Sequence, residues 1–519
     1  MTNELSPRSA PEVVWSVAGS DCGGGAGLQA DARALDAFGV HGCSVVAAIT
    51  AQNSLSVDRI EPVSTAMLEA QLAALAADMP PAAVKTGMLG NADNVRVLVQ
   101  WIDRLREQHP ALALVVDPVL HSSTGAAFAD AALIQAYCSE LLPRASLITP
   151  NRAEASALLG IPLLNNRVDV EQAALALLAL GCKAVVITGG DEAGVNSEDY
   201  LATPEASGWL SLPRVATPHH HGTGCVFASS AAAALARGFV AVEAVVLAKM
   251  ATTHALRHGY AAGQGAGPVR ARADFALQHD NLPAFSIPGR GGVASFAPLV
   301  DAKLGLYAVV DSAAWVQRVL AGGVRTVQLR IKDANHPALQ QEVRDSVAAA
   351  RAAGAQLFIN DHWQVAIEEG AYGVHLGQED LATADLDAIA RAGLRLGVST
   401  HSYWEVCRAW ALKPSYIACG PIHPTQAKAM PWLPQGNDNL AHWCKLLPLP
   451  VVAIAGMDGP RATQAVQCGA AGVAVISAIT GAASPEGQIA CLRQAVQAGS
   501  SLPRLAPPEL ARTTLQRAY

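Results

Sequence analysis

Cysteine is sparse and unpaired in this 519-residue sequence: ten residues, scattered, with no Cys-x-x-Cys pair. That excludes a disulfide framework and a thiolate zinc site, and it leaves reduced thiols, as expected of a cytoplasmic protein. Basic blocks are also missing, and the net charge is −7, so no nucleic-acid partner is expected. No uninterrupted apolar run reaches membrane-spanning length, so no membrane partner is expected either. The opening residues, Met1 to Pro11, lack the basic-then-apolar order of a signal peptide. Aromatic residues are few, while Ala, Gly, Val and Leu dominate. This is the content of parallel sheets covered by Ala-rich helices.

The length exceeds one hydrophobic core, so two or three domains are expected. In the first half, short apolar runs alternate with helical patterns. Strands are expected at Val13–Val17, Ser44–Ile49, Val84–Thr86, Leu112–Val116, Leu147–Thr149 and Ala184–Thr188, with helices such as Met67–Ala77 and Val168–Leu180 between them. This order predicts an open, mostly parallel α/β sheet over residues 12–282, with ligands beyond the carboxyl ends of its strands. Residues 283–303 read as a linker, since PAFSIPGRGG mixes Pro, Gly and Ser without period. Over residues 304–500 the alternation restarts. Eight strands can be counted, from Leu306–Val310 to Val473–Ile476, each followed by a helical stretch. Eight βα units predict a TIM (β/α)8 barrel. The tail from Pro503 has no evident partner.

The segment His221-Gly222-Thr223-Gly224-Cys225 precedes a run of small residues that reads as a helix. Glycines let several amides point at one spot, and a helix start adds the positive end of its dipole, which makes an anion site. A cysteine in the first turn sits where a thiolate is stabilised. The plainer reading is a Gly-rich helix start with a small buried cysteine, and these five residues do not choose between the two. Gly23 to Gly27 form another Gly-rich turn, without the spacing of a dinucleotide fingerprint or the Lys of a P-loop. Asn151 and Glu154 open a helix: taken alone they are an N-cap with an acidic first turn, and the functional alternative is Mg²⁺ held near a nucleotide phosphate. The triplet His219-His220-His221 is not favoured as a metal tract.

At the strand ends of the second half stands a polar set. It comprises Gln328, Arg330 and Lys332, then Asn360 and Asp361, His375, Gln378 and Asp380, Ser399 to His401, Thr425 and Lys428, Gly456 and Ser477. Three cations (Arg330, Lys332, Lys428) and two carboxylates (Asp361, Asp380) around one mouth suggest an anionic diphosphate with Mg²⁺ as metal. Gly456 and Ser477, on strands seven and eight, form the usual phosphate corner of such barrels.

Taken in order, several strings carry a resemblance. Gly-Gly-Ala-Gly is followed by Gln29-Ala30-Asp31, then Thr50-Ala51-Gln52-Asn53, Lys85-Thr86-Gly87-Met88-Leu89, Asp117-Pro118-Val119, Thr149-Pro150-Asn151-x-x-Glu154 and His-Gly-Thr-Gly-Cys. Over residues 12 to 270 the chain resembles hydroxymethylpyrimidine/phosphomethylpyrimidine kinases of the ribokinase-like superfamily. The resemblance implies ATP as substrate, a pyrimidine read at Gln52, Met88, Asp21 and Gly19, and ATP or phosphate held at Asn151, Glu154, Gly222, Thr223 and Gly224. It also implies Cys225 as the base. Thr188 stands where that family usually has a lysine.

Over residues 304 to 497 the strings Gln-Leu-Arg-x-Lys-Asp, Ile-Asn-Asp, Gly-Val-His-Leu-Gly-Gln-Glu-Asp, Gly-Val-Ser-Thr-His and Pro-Thr-Gln-Ala-Lys resemble thiamine-phosphate synthases. That implies pyrimidine diphosphate at Gln328, Arg330, Lys332, Asn360, Ser399 and Lys428. Mg²⁺ would be held by Asp361 and Asp380, and thiazole phosphate by Thr425, Gly456, Ile476 and Ser477. Ala427 and Ala455 depart from the pattern, Ala455 replacing the first of two glycines, and both replacements are expected to be tolerated. Together the halves imply a bifunctional thiamine-biosynthesis enzyme acting on hydroxymethylpyrimidine and thiazole phosphate, with a homo-oligomer expected. The rivals are a kinase whose barrel does tautomerase-like thiazole chemistry, a ligand-sensing barrel, and pyridoxal-type kinase specificity.

Overall fold

The structure, a computed structural model, describes residues 10–120, 130–190, 192–287, 295–333, 335–424 and 431–515. The chain divides into two compact units, Met1–Pro283 and Ala284–Gln516.

The first unit is built on a mixed sheet. Its strands are β1 (Val13–Asp21), β2 (His41–Gln52), β3 (Val57–Pro62), β4 (Ala83–Thr86), β5 (Ala113–Val116), β6 (Leu147–Ile148), β7 (Val185–Ile187), β8 (Asn196–Ala202) and β9 (Ser207–Pro213). They lie in the order β9-β8-β7-β6-β5-β4-β1-β2-β3. The middle, from β7 to β2, is parallel; β3, β8 and β9 pair antiparallel with their neighbours. The central strands are short runs buried on both faces, such as Ala113–Val116, which is why they stand out in the sequence. The three antiparallel strands do not, because chains such as VDRIEP and NSEDYLA are about half polar, and VDRIEP is half exposed. The chain reverses direction across the sheet between β4 and β2, on either side of β1. A ligand crevice is expected at the carboxyl ends there.

The second unit is a closed barrel of eight parallel strands: Gly305–Val310, Thr326–Leu329, Gln356–Asn360, Gly373–Leu376, Arg395–Thr400, Tyr416–Cys419, Val451–Ile454 and Gly472–Val475. Tyr307, Val309, Phe358, Tyr416, Ala418, Val452 and Ala474 pack together as its core. Large rings fit because glycine faces them: a Cβ on Gly397 would lie 2.1 Å from the Tyr416 ring. The tail has a place after all. Pro508 accepts a hydrogen bond from His442 Nδ1, the Ala511 amide donates to Tyr403, and the Arg512 amide donates to Asn439 Oδ1 at 2.9 Å. Thr514 accepts from the Leu433 amide. Among the described residues no helix is long and apolar enough to cross a membrane.

Candidate functional site

In the first unit, two Gly-rich turns meet at the end of β1. The turn after β1 is gathered by Asp21, whose carboxylate accepts hydrogen bonds from the amides of Gly23, Gly25 and Ala26 at 2.8 to 2.9 Å. His221 Nε2 lies 3.3 Å from the same carboxylate and ties in the second turn. Burial opposes ionisation of Asp21, but His221, the amides and Gln52 outweigh it and hold the carboxyl down at about 2. Asp21 therefore shapes the turn, and the expectation that it reads a pyrimidine is not needed to explain it.

The second turn requires glycine. Gly222 has φ +86°, and a Cβ there would sit 2.2 Å from the Gly25 carbonyl oxygen. Gly222 caps the helix Thr223–Ala236, with Cys225 in its first turn. The Thr223 amide donates to the His220 carbonyl at 3.3 Å, while those of Gly224 and Cys225 have no carbonyl within the helix to bind, which leaves an anion-binding start. Nearby, the Met88 methyl lies over Gly19, where a Cβ would come within 2.5 Å of it. The Gln52 carbonyl accepts from Cys22 Sγ at 3.0 Å. Gly19, Asp21, Gln52, Met88 and His221 are thus one neighbourhood. Asn151 and Glu154 form a reciprocal capping box at the start of the helix Arg152–Leu159. Asn151 also bridges Thr188. Among the described residues no three or more of His, Cys, Asp or Glu, the His219–His221 triplet included, are grouped as metal ligands.

One expectation is corrected. A helix start was expected to favour the Cys225 thiolate. Instead burial pushes the thiol up, to about 12; Asp31 and Asp117 add to this, while Lys85 and a Gly27 hydrogen bond oppose it. All three of these charged neighbours lie in strings quoted from the sequence, but none is assigned a role there. Lys85 is fully buried, with Nζ 2.9 and 3.0 Å from the two Asp31 oxygens and 3.8 Å from Asp117. Positions 31, 85 and 117 share no local motif, so only the fold brings them together.

At the barrel mouth the expected residues form a continuous network. Gln328 Nε2 donates to Asn360 Oδ1 at 3.0 Å, and Asn360 Nδ2 donates to Asp361 Oδ2 at 2.5 Å. Asp361 has φ +62°, a left-handed backbone that is uncommon outside glycine. Although the residue is exposed at its edge, burial of the carboxyl and then the facing Asp380 push its pKa up, against Arg330. Asp380 accepts from the Gly377 amide at 2.9 Å. The Ile331 carbonyl, between Arg330 and Lys332, lies 2.8 Å from His362 Nε2, a positioning contact the sequence did not reveal. Lys332 is exposed.

Below the mouth, His375 lies 2.8 Å from Ser399 Oγ and 2.7 Å from Tyr416 OH, which meets Tyr307 OH at 2.8 Å. Burial, and secondarily Arg330, press the His375 pKa down to about 4, so the ring is neutral. Gln378 donates to the Ser399 carbonyl at 2.8 Å.

At the phosphate corner, Gly456 has φ +67°, and a Cβ there would meet the His423 side chain at 2.6 Å. Ser477 begins the short helix Ser477–Thr480, with Ile476 as its cap. Ala455 has φ +81°, so the alanine in a glycine position carries backbone strain. Thr425, Ala427 and Lys428 lie outside the described residues.

Comparison with known proteins agrees with this division. The family model for phosphomethylpyrimidine kinase matches residues 21–270, and that for thiamine monophosphate synthase matches residues 306–479. A probable thiamine biosynthetic bifunctional enzyme of Oryza sativa is 36% identical, covering 91% of this chain and 87% of that one. A thiamine biosynthetic bifunctional enzyme of Arabidopsis thaliana is 34% identical over 92% of each. A thiamine-phosphate synthase of Salmonella dublin is 54% identical over 36% of this chain and 89% of its own length. With its sheet unit and its barrel each matching one activity, the chain belongs to the bifunctional thiamine biosynthetic enzymes, a pyrimidine kinase joined to a thiamine-phosphate synthase.

Proposed function

We propose that the sheet unit moves the terminal phosphoryl group of ATP onto hydroxymethylpyrimidine and then onto its monophosphate, at the Gly222–Cys225 turn. In the first transfer the substrate hydroxyl attacks the phosphorus, the bond to the ADP oxygen breaks, and the hydroxyl proton goes to the sulfur of Cys225, present as the thiolate after losing its own proton to solvent. In the second, an oxygen of the monophosphate is the nucleophile and no hydroxyl proton is moved. Phosphoryl transfer needs mainly alignment and a fixed cradle for the moving charge. The amides of Gly224 and Cys225 supply the cradle, and the meeting of Gly25 with Gly222 fixes its shape. Gln52 offers a donor and an acceptor to an aminopyrimidine edge, with Met88 beside it. Asn151 and Glu154 are explained by the helix cap, and no step is assigned to them.

In the barrel, the carbon–oxygen bond of the pyrimidine diphosphate breaks, its electron pair leaving on pyrophosphate. The thiazole nitrogen lone pair then forms the new carbon–nitrogen bond. Arg330, Lys332 and Lys428 hold the diphosphate, with Gln328, Asn360 and Ser399 placing the pyrimidine end. Gly456, Ile476, Ser477 and Thr425 receive the thiazole phosphate. Two facing carboxylates, Asp361 and Asp380, repel each other unless a cation or proton lies between them; the upward pKa of Asp361 comes first from burial and then from that repulsion. This donor set suits Mg²⁺, which takes one or two carboxylates and completes its shell with water and phosphate. When bound, Mg²⁺ would neutralise charge on the leaving diphosphate.

The observation that carries the proposal is the connected mouth from Gln328 through Asn360 and Asp361, on the same chain as a glycine-defined anion cradle. Its test is a one-pot reaction of the purified protein with hydroxymethylpyrimidine, ATP, Mg²⁺ and thiazole phosphate. Thiamine phosphate and pyrophosphate are the expected products. Accumulation of pyrimidine diphosphate without thiamine phosphate would reduce the protein to a kinase.

A further inference from the structure

Lys85 is the most deeply buried cation of the first unit, and nothing in the kinase reading uses it. A lysine with no exposed surface is costly unless its charge is matched. Here both Asp31 oxygens take hydrogen bonds from its ammonium, at 2.9 and 3.0 Å. The same Asp31 accepts from Ser16 at 2.6 Å and from Ser229 at 2.8 Å. Ser229 lies four residues beyond Cys225 in one helix, so the two share a face one turn apart. Ala30, the neighbour of Asp31, packs in the same small apolar cluster as Cys225. Gly87 leaves room above the ammonium, since a Cβ there would stand 3.2 Å from Nζ. The Asp31–Lys85–Asp117 group is therefore stacked beneath the turn that presents the thiol.

We infer that Lys85 is a positioning residue of the kinase: Asp31 pins its charge beneath Cys225, where it eases loss of the thiol proton, while Asp117 acts in the opposite sense. The inference rests on Cys225 as the base. The charges that face the thiol are Asp31 from the helix Gly27–Ala37, Lys85 from β4 and Asp117 from β5. From the helix Ala241–Arg257, Ala255 and Leu256 join the apolar cluster, and its His254 lies 3.6 Å from Asp274. His221 is engaged by Asp21. Lys85 thus supplies the cation of the group, against two carboxylates. Burial, with Asp31 adding and Lys85 opposing, pushes Asp117 up to about 6, so it is charged wherever the thiol begins to ionise.

The test exploits the opposite signs. Full-length Lys85→Met and Asp117→Asn are treated with iodoacetamide at alkaline pH, and modification of Cys225 is followed by peptide mass spectrometry. The exposed Cys22 serves as internal reference. One unit of thiol pKa corresponds to about tenfold in thiolate. Lys85→Met is expected to slow Cys225 labelling by about tenfold or more, and Asp117→Asn to speed it by severalfold, with Cys22 unchanged. The pH profile of the kinase should move the same way, to higher pH for the first variant and lower for the second. A merely structural role would loosen the turn in both variants and speed labelling in both; that outcome, or no change in either, overturns the inference. If Lys85→Met does not fold, Asp117→Asn decides through labelling and pH profile together: unchanged or slower labelling, or faster labelling with the kinase pH profile unmoved, refutes it. Full kinase activity in Cys225→Ala would instead refute the base reading, leaving the labelling result to stand separately.

Discussion

In the proposed function the two units handle phosphate by opposite means. The sheet unit offers backbone: two glycine turns pressed together, with the charged side chains buried underneath rather than facing the ligand. The barrel offers side chains: Arg330, Lys332, Asp361 and Asp380 stand on strand ends around an open mouth, and the interior below is neutral hydroxyl and imidazole. A backbone cradle depends on shape and fails when one Cβ intrudes. A side-chain mouth depends on charge and fails when one charge is removed. The difference also places the ionisable groups differently, with an ion cluster in one core and uncharged histidines in the other.

The largest expected effect tests shape. Gly222→Ala puts a methyl 2.2 Å from the Gly25 carbonyl oxygen at φ +86°. Kinase rate should fall by about 10²-fold or more, as for loss of a preorganised donor, with synthase activity retained. Steady-state kinetics on both reactions checks this, and kinase activity within a few-fold of the parent would show that the cradle is not glycine-defined.

The next effect is on stability against pH. His375 and His442 in the barrel are pressed by burial to about 4. Their unfolded forms take up protons first as pH falls below about 6.5, so each costs the barrel up to roughly 1.4 kcal/mol per pH unit between about 6.5 and 4. The sheet unit has one such histidine, His254, also near 4, largely through burial. It also has Asp117, raised to about 6, which binds its proton earlier in the folded state and so gains stability as pH falls from about 6 towards 4. The two nearly cancel, whereas in the barrel one raised carboxyl, Asp361, stands against two lowered histidines. Calorimetry of the whole chain at pH 6.5 and 4.5 should therefore show the barrel transition falling well before the sheet transition; equal shifts would contradict the contrast.

The smallest effect is a gain. Ala455→Gly relieves a left-handed alanine, offset in part by the greater freedom of unfolded glycine. The barrel transition should rise by roughly 0.5–1 kcal/mol, with no change in the sheet unit. A loss would mean that the alanine side chain makes contacts worth more than the strain.

How much of this the sequence disclosed follows the same contrast. The barrel strands were legible within a residue or two, because each is a short apolar run ending where its polar residues begin. Gln328, Asn360 and Asp361 could be assigned together for that reason. The Gly222 turn was legible because glycine and a helix start are local signals. The Asp31–Lys85–Asp117 group was not, since three residues far apart in sequence meet only through the order of β1, β4 and β5. The Cys225 thiol was misjudged for a related reason: the helix start is visible locally, but the burial that outweighs it is not. Strands β3, β8 and β9 escaped because polar residues dilute their apolar signal. The His375–Tyr416–Tyr307 chain escaped because the residues sit inside strands that otherwise read as plain core.

The central claim is that the two sites work by separate means on one chain, and paired variants test it most directly. Cys225→Ala and Arg330→Ala would each be assayed for kinase activity on hydroxymethylpyrimidine and for synthase activity with pyrimidine diphosphate supplied. Cys225→Ala should lower the kinase rate by about 10²–10⁴-fold and leave the synthase intact. Arg330→Ala should lower the synthase rate by about 10²-fold or more and leave the kinase intact. Loss of both activities from either well-folded variant, or of neither, would contradict it.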